Sequence, residues 1–155
     1  MKRVDVEERV SRAKELFRSG YNCSQSVALA YADFTSLSEE TIATVAASFG
    51  GGMGRLREVC GAVSGMSLLA SFIEPSPAND DAEAKRRNYA LVQHFAEAFR
   101  QQNGAIVCRT LLGLDVQSQE PTPSPRTEEY YRKRPCAELV GDAARIVGEY
   151  LNSKE

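Results

Sequence analysis

Tryptophan is absent from this sequence of 155 residues, and histidine occurs only once, as His94. A metal site built from cysteine and histidine could therefore contain at most one imidazole ligand. The sequence also lacks any CxxC pair, the spacing that is typical of local metal-binding and redox motifs. A site that uses the cysteines of this chain must therefore be assembled by the fold and not by a short motif.

Long apolar segments and an excess of positive charge are missing as well. Residues 1–8 are rich in charge and hold no apolar stretch, so we expect no secretory signal. The longest uncharged stretch, 59–73, is shorter than the roughly 20 apolar residues that cross a membrane. The net charge is −2, which gives no general basic surface for nucleic acids. We therefore expect a cytoplasmic protein that binds no nucleic acid.

The residues that are present form an ordinary globular composition with helical periodicity. Apolar residues make up 43% of the chain and charged residues 26%, and its length suffices for one core. The first helix is predicted over 6–17, where apolar residues recur at helical spacing. The longest helix is predicted to begin near 79–81 and to end at Gly104. Its buried face is predicted to contain Tyr89, Val92, Ala96 and Phe99.

No segment alternates apolar and polar residues as a half-buried strand would. The sequence therefore predicts an all-α fold, a compact helical bundle of about five main helices plus a short one. We expect a single domain spanning 1–155. Residues 117–126 contain three prolines and no periodicity, so they are predicted to form a loop.

Four cysteines are the most informative residues of the chain: Cys23, Cys60, Cys108 and Cys136. In a reducing compartment such thiols are more often reactive or metal-binding than structural. Cys23 follows Asn22, a favourable N-cap residue, and Cys136 follows Pro135. Cys108 is predicted to begin a short helical turn. Because a helix N-terminus favours an anion, it lowers the pKa of a cysteine placed there.

Basic residues accompany three of the four cysteines in the sequence. Arg55 and Arg57 precede Cys60, and Arg109 follows Cys108. The residues before Cys136 are Arg132, Lys133 and Arg134. Such cations favour a thiolate when they also lie close to it in space.

Cys60 is predicted to lie in the first turns of a helix over about 57–72. Gly61 and Gly65 lie on the same helix, where a glycine costs about 1 kcal/mol relative to alanine. Their spacing indicates the close approach of another backbone or of a ligand. The glycine run 50–54 is the predicted neighbour, with Gly51, Gly52 and Gly54 helping to shape the site. We therefore expect Cys60 to face a tight pocket of small residues.

A structural role is the alternative for each single cysteine. Unpaired cysteine is among the most buried residue types and packs as a small apolar side chain. This alternative is strong for Cys23 and Cys136, which continue apolar stripes. The set of four, with three at predicted helix starts and one beside two helical glycines, favours a joint site.

The order of these motifs resembles a bacterial and archaeal family. The order runs Cys23, then Cys60-Gly61-Ala62-x-x-Gly65, then Cys108 and Cys136, and it resembles the family written C_GCAxxG_C_C, which is described as redox-active. Residues 22–27 and the glycine run also resemble the corresponding segments of that family's members. The resemblance spans the chain from about residue 7 to the last helix. It implies a small helical protein that uses its four cysteines for redox chemistry, with Gly61, Ala62 and Gly65 shaping the site.

Three functions follow from these features. The first, which we predict, is thiol–disulfide or electron-transfer chemistry with Cys60 as the attacking thiol and a redox partner protein or a small thiol as its partner. The second is binding of Zn²⁺ or an iron–sulfur cluster by the four cysteines. The third is a non-catalytic helical adaptor, either as a homodimer or as the partner of a membrane transporter, since the family is often encoded near transporter genes.

Overall fold

A computed structural model describes residues 2–113 and 120–154. In these ranges the protein is all-α, as predicted, and six helices have eight or more residues. They are α1 (Val6–Arg18), α2 (Cys23–Ala30), α3 (Glu39–Ala46), α5 (Gly61–Ile73), α6 (Ala82–Asn103) and α9 (Cys136–Asn152). The shorter segments are α4 (Gly50–Met53), α7 (Cys108–Leu112) and α8 (Glu128–Lys133), with 3₁₀ turns at Ala32–Phe34 and Ala47–Phe49. The predicted loop is helix-free over 120–126, and residues 117–119 lie outside the described ranges.

The start of α2 is set by reciprocal hydrogen bonds between Asn22 and Gln25. Asn22 Oδ1 accepts from the Gln25 backbone N–H at 2.9 Å, and Gln25 Oε1 accepts from the Asn22 backbone N–H at 3.0 Å. This capping box satisfies two N–H groups that the helix itself cannot pair. It confirms the predicted N-cap and makes Cys23 the first residue of α2.

The start of α5 differs from the prediction. The helix begins at Gly61 and not near residue 57, because residues 57–60 run beside residues 106–109 instead. Val59 and Val107 form an antiparallel bridge, and the Cys60 N–H donates to the Ile106 carbonyl at 2.7 Å. Cys60 is therefore the N-cap residue of α5 and does not lie within its first turns.

The core lies between α1, α2, α5, α6 and α9. Helix α1 packs along α9, α2 packs along α5, and α6 contacts both α5 and α9. The largest side chains between them are almost fully buried: Phe17, Tyr31, Met66, Phe95 and Phe99. No helix in the described ranges is long and apolar enough to span a membrane.

The buried face of α6 is rotated from the predicted one. Leu91, Phe95 and Phe99 are buried, whereas Tyr89 is 59% exposed and belongs to the surface. Two apolar stripes overlap on this helix, and α5 and α9 cover the one that carries Leu91 and Phe95. Of the predicted face, only Phe99 is fully buried.

The glycines of α5 let α2 pack against it at close range. A Cβ atom on Gly65 would lie 2.8 Å from Val27 Cβ and 2.9 Å from the Ser24 carbonyl oxygen. A Cβ atom on Gly61 would lie 3.0 Å from both Cys23 Cβ and the carbonyl oxygen of Phe49. The predicted close approach is therefore present, but its main partner is α2 and not the glycine run.

We expect Gly65→Ala to lower the free energy of unfolding by about 1–2 kcal/mol, because the overpacking outweighs the helix propensity that alanine gains. Gly141→Ala on α9 is the matched control, since its Cβ would meet only the end of the flexible Lys14 side chain. Urea denaturation of both variants measures the difference. Equal stability of the two variants would show that the α2–α5 approach tolerates a methyl group.

Candidate functional site

All four cysteines lie at helix starts and line one cavity. Cys23, Cys108 and Cys136 are the first residues of α2, α7 and α9, as predicted, and Cys60 caps α5. The cavity has a volume of about 360 Å³. Widely spaced cysteines thus meet because four helices begin at the same place in the fold.

Two backbone contacts bring these helix starts together. The Cys108 N–H donates to the Glu58 carbonyl at 2.6 Å, next to the bond between Cys60 and Ile106. The same pairing thereby fixes the starts of α5 and α7. The close approach of Gly61 to Cys23 fixes the start of α2 beside that of α5.

The glycine run forms a wall of the cavity through left-handed backbone. Gly51, Gly52 and Gly54 have φ values of 69°, 71° and 57°. A Cβ atom on Gly52 would lie 2.6 Å from Cys108 Cβ and 2.7 Å from the Glu58 backbone nitrogen. Each of these three residues also lines the cavity. Glycine is required at Gly52 both for its backbone conformation and for space.

Two arginines extend from the strained segment that follows the glycine run. Arg55 and Arg57 have φ values of 67° and 61°, which are uncommon for residues with a side chain. Arg57 is only 2% exposed, and its Nη1 lies 3.7 Å from Cys108 Sγ. Arg55 Nε donates to the Glu120 carbonyl at 3.0 Å, which ties the proline-rich segment to the cavity. Backbone strain of this kind is concentrated at functional sites in proteins.

Two further arginines complete the basic lining. Arg134 is one residue before Pro135 and faces the cavity, as does Arg126. Arg126 donates to the carbonyl oxygens of Phe17 and Tyr21 at 2.8 and 3.0 Å. Among the described residues, no Asp, Glu or His lines the cavity.

The sequence predicted some of these cations and missed one. Arg55, Arg57 and Arg134 line the cavity, whereas Arg109 pairs with Glu58 at 3.2 Å. Arg132 and Lys133, also near Cys136 in sequence, do not line the cavity. Arg126 lies ten positions before Cys136, inside the predicted loop, and no local pattern marked it. Its place depends on contacts with the distant end of α1.

Burial keeps two of the thiols protonated. It raises the pKa of the Cys60 thiol to about 12, although the backbone N–H groups of Ala62 and Val63 favour the thiolate. Burial also raises the pKa of the Cys108 thiol, against the opposing effect of the Arg57 guanidinium. Cys60 and Cys108 are 4% and 7% exposed. Neither is a ready nucleophile at neutral pH.

Cys136 differs, because the neighbouring Cys23 thiol favours its thiolate. This interaction lowers the pKa of Cys136 and raises that of Cys23 well above its ordinary value. Burial opposes the lowering at Cys136, while the nearby guanidinium groups of Arg134, Arg126 and Arg57 favour its thiolate. Cys136 also begins a helix of 17 residues, whose N-terminus favours a negative charge. The helix start and the neighbouring cations thus favour a thiolate at Cys136 more than burial allows one at Cys60.

The described ranges hold no group of three or more His, Cys, Asp and Glu side chains arranged so that it could hold a metal ion. His94 is exposed on α6, and its ring centroid lies 5.5 Å from that of Tyr150. It does not line the cysteine cavity.

Comparisons with known proteins agree with the cysteine order. A family model with the description "Putative redox-active protein (C_GCAxxG_C_C)" matches residues 21–150. The matched region includes all four cysteines and the glycine run. Searches of curated proteins and of solved structures found no match.

Proposed function

Because this chain belongs to the C_GCAxxG_C_C family, whose description is "Putative redox-active protein", we propose that it carries out thiol–disulfide exchange with Cys136 as the attacking thiolate. The observation that carries the proposal is the position of Cys136 at the start of the 17-residue helix α9, in a cavity that it shares with Cys23 and four arginines. The thiolate is the reactive form of cysteine, and both features favour it.

The reaction takes two steps. The Cys136 thiolate attacks a substrate disulfide, a bond forms between its sulfur and the nearer substrate sulfur, and the other half leaves as a thiolate. Cys23 then loses its proton to the leaving thiolate and attacks Cys136 Sγ. A disulfide forms between Cys23 and Cys136, and the second half of the substrate leaves as a thiolate.

The electrons balance within this sequence. The substrate disulfide gains two electrons and becomes two thiols, while Cys23 and Cys136 lose two electrons. A small thiol reduces the pair again by the reverse exchange. Cys60 and Cys108 stay protonated in this proposal because burial raises the pKa of each. The cytoplasm remains the proposed compartment, since thiols are kept reduced there.

Alkylation with iodoacetamide over a range of pH tests the proposal. We expect Cys136 to be modified first, at a lower pH than an ordinary thiol, with peptide mapping identifying the residue. Cys23→Ala should slow modification of Cys136 at pH 7 by about ten-fold, because a hydrogen bond to a charged group contributes at least about 1.5 kcal/mol. Cys23→Ser keeps a donor and serves as the control. Modification of Cys136 only after denaturation, or with an ordinary thiol pH profile, would contradict the proposal.

Metal or cluster binding and an adaptor role remain predictions from the sequence. Metal analysis and a visible spectrum of protein purified without oxygen test the first of them. The serine variant of all four cysteines tests the second, because an adaptor would keep its partner binding without any thiol.

A further inference from the structure

Arg134 differs from the other arginines of the cavity in having no hydrogen-bond acceptor among the described residues. Within the described ranges its guanidinium makes no hydrogen bond or ion pair. It lies over the Tyr130 ring, 5.2 Å from the ring centroid. Arg126 and Arg57, by contrast, donate to carbonyl oxygens and to Cys108. A half-buried guanidinium whose five donors are used by no described residue is suited to an anion.

The charge of the cavity points the same way. Four guanidinium groups line it, and no carboxylate does among the described residues. One thiolate at Cys136 does not balance four cations. A partly buried site strengthens the attraction between such cations and an anion, because water screens the charges less there.

The size of the cavity and the burial of the sulfurs limit what can enter. A volume of about 360 Å³ suits a small molecule. Cys136 is only 7% exposed, so a disulfide on the surface of a folded protein would not reach its sulfur without a large rearrangement. The substrate that fits is therefore a small disulfide.

We infer that this small disulfide carries a carboxylate, and that Arg134 binds that carboxylate while Cys136 attacks the neighbouring sulfur. The inference rests on the proposed exchange reaction and names its substrate class. The planar guanidinium matches a carboxylate in a bidentate pair. Arg134 and Cys136 line the same cavity, and the charge of Arg134 acts on the Cys136 sulfur, so the bound carboxylate lies close to the reacting atom.

Three disulfides of similar length test this assignment: 3,3′-dithiodipropionate, bis(2-hydroxyethyl) disulfide and cystamine, which are anionic, neutral and cationic. The rate of mixed-disulfide formation at Cys136 is measured by mass spectrometry at low salt. The reference nucleophile is a small cysteine derivative whose amino and carboxyl groups are both blocked. We expect the normalised rates to fall in the order anionic, neutral, cationic. Arg134→Gln should reduce the ratio of the anionic to the neutral rate by about ten-fold.

Two variants control for charge and for folding. Arg132→Gln removes an exposed cation from the same segment and should leave the ratio unchanged, because Arg132 does not line the cavity. Arg134→Lys keeps the charge without the planar pair of donors and should keep only part of the preference. Because each result is a ratio of two rates in the same protein, a change in the amount of folded protein or of Cys136 thiolate cancels.

The ratio of iodoacetate to iodoacetamide alkylation at Cys136 separates the inference from the proposed function. If the three disulfides react at equal normalised rates, the anion site is wrong while exchange stands. If no disulfide reacts but Cys136 prefers iodoacetate and loses that preference in Arg134→Gln, the anion site stands and exchange is wrong. An unchanged ratio in Arg134→Gln overturns the role of Arg134 in either assay.

Discussion

Replacing Cys136 with serine is expected to slow the reaction of the protein with a small disulfide by at least about 100-fold at pH 7, because only a thiolate attacks at a useful rate. The remaining thiols cannot replace it. With a pKa of about 12, Cys60 is a thiolate in only about one molecule in 10⁵ at pH 7. Burial also raises the pKa of Cys108, and the pKa of Cys23 is raised by its interaction with residue 136 and by burial. The rate is measured as the thiol released from the disulfide in a single turnover.

Cys60→Ser is the matched control for this experiment. It makes the same change in a side chain that is equally buried and lines the same cavity. We expect its first-step rate to stay close to that of the unaltered protein, because Cys60 remains protonated. A comparable loss in both variants would mean that the pocket, and not the Cys136 thiolate, limits the rate. An unaltered rate in Cys136→Ser would assign the attack to another cysteine.

The pH dependence of the first step follows from the direction of the same shifts. The pKa of Cys136 is lowered, so its rate should level off at a lower pH than that of an ordinary thiol. The raised pKa of Cys60 means that any contribution from it would still be rising at pH 10. The profile therefore distinguishes the two residues even without a substitution.

Local signals in the sequence were sufficient to place three of the cysteines. Asn22 with Gln25, and Gly104 and Gly113, act on the backbone within a few residues of themselves. The start of α2 and the ends of α6 and α7 could therefore be predicted, and Pro135 marks the start of α9. Since thiol placement at helix starts depends only on these boundaries, that part of the candidate site could be predicted as well.

Contacts between distant segments determined the rest. The predicted start of α5 was wrong because residues 57–60 pair with residues 106–109. Local periodicity in the sequence does not indicate such a pairing. Arg126 reaches the cavity through the carbonyl oxygens of Phe17 and Tyr21, far away in the sequence. The choice of Cys136 over Cys60 as the thiolate also depends on such contacts, because both have favourable positions at a helix start. Burial and the neighbouring Cys23 separate them, and both are properties of the assembled fold.

The glycine wall of the cavity gives the second large effect. We expect Gly52→Ala to lower the free energy of unfolding by about 3 kcal/mol, because left-handed strain adds to a steric clash. The φ of Gly52 is 71°, and the new Cβ would lie 2.6 Å from Cys108 Cβ and 2.8 Å from Arg57 Cα. Backbone atoms cannot move aside as a flexible side chain would. Chemical denaturation measures the loss.

Gly54→Ala separates the two causes. Gly54 has a similar φ of 57°, but the nearest atom to its new Cβ is the Ser48 carbonyl oxygen at 3.9 Å. We expect it to cost only the left-handed strain, about 1–2 kcal/mol. The difference between the two variants then measures how tightly the wall holds Arg57 and Cys108. Equal losses would show that Cys108 has room to move, in which case the 3.7 Å contact between Arg57 and Cys108 is not fixed by the glycine run.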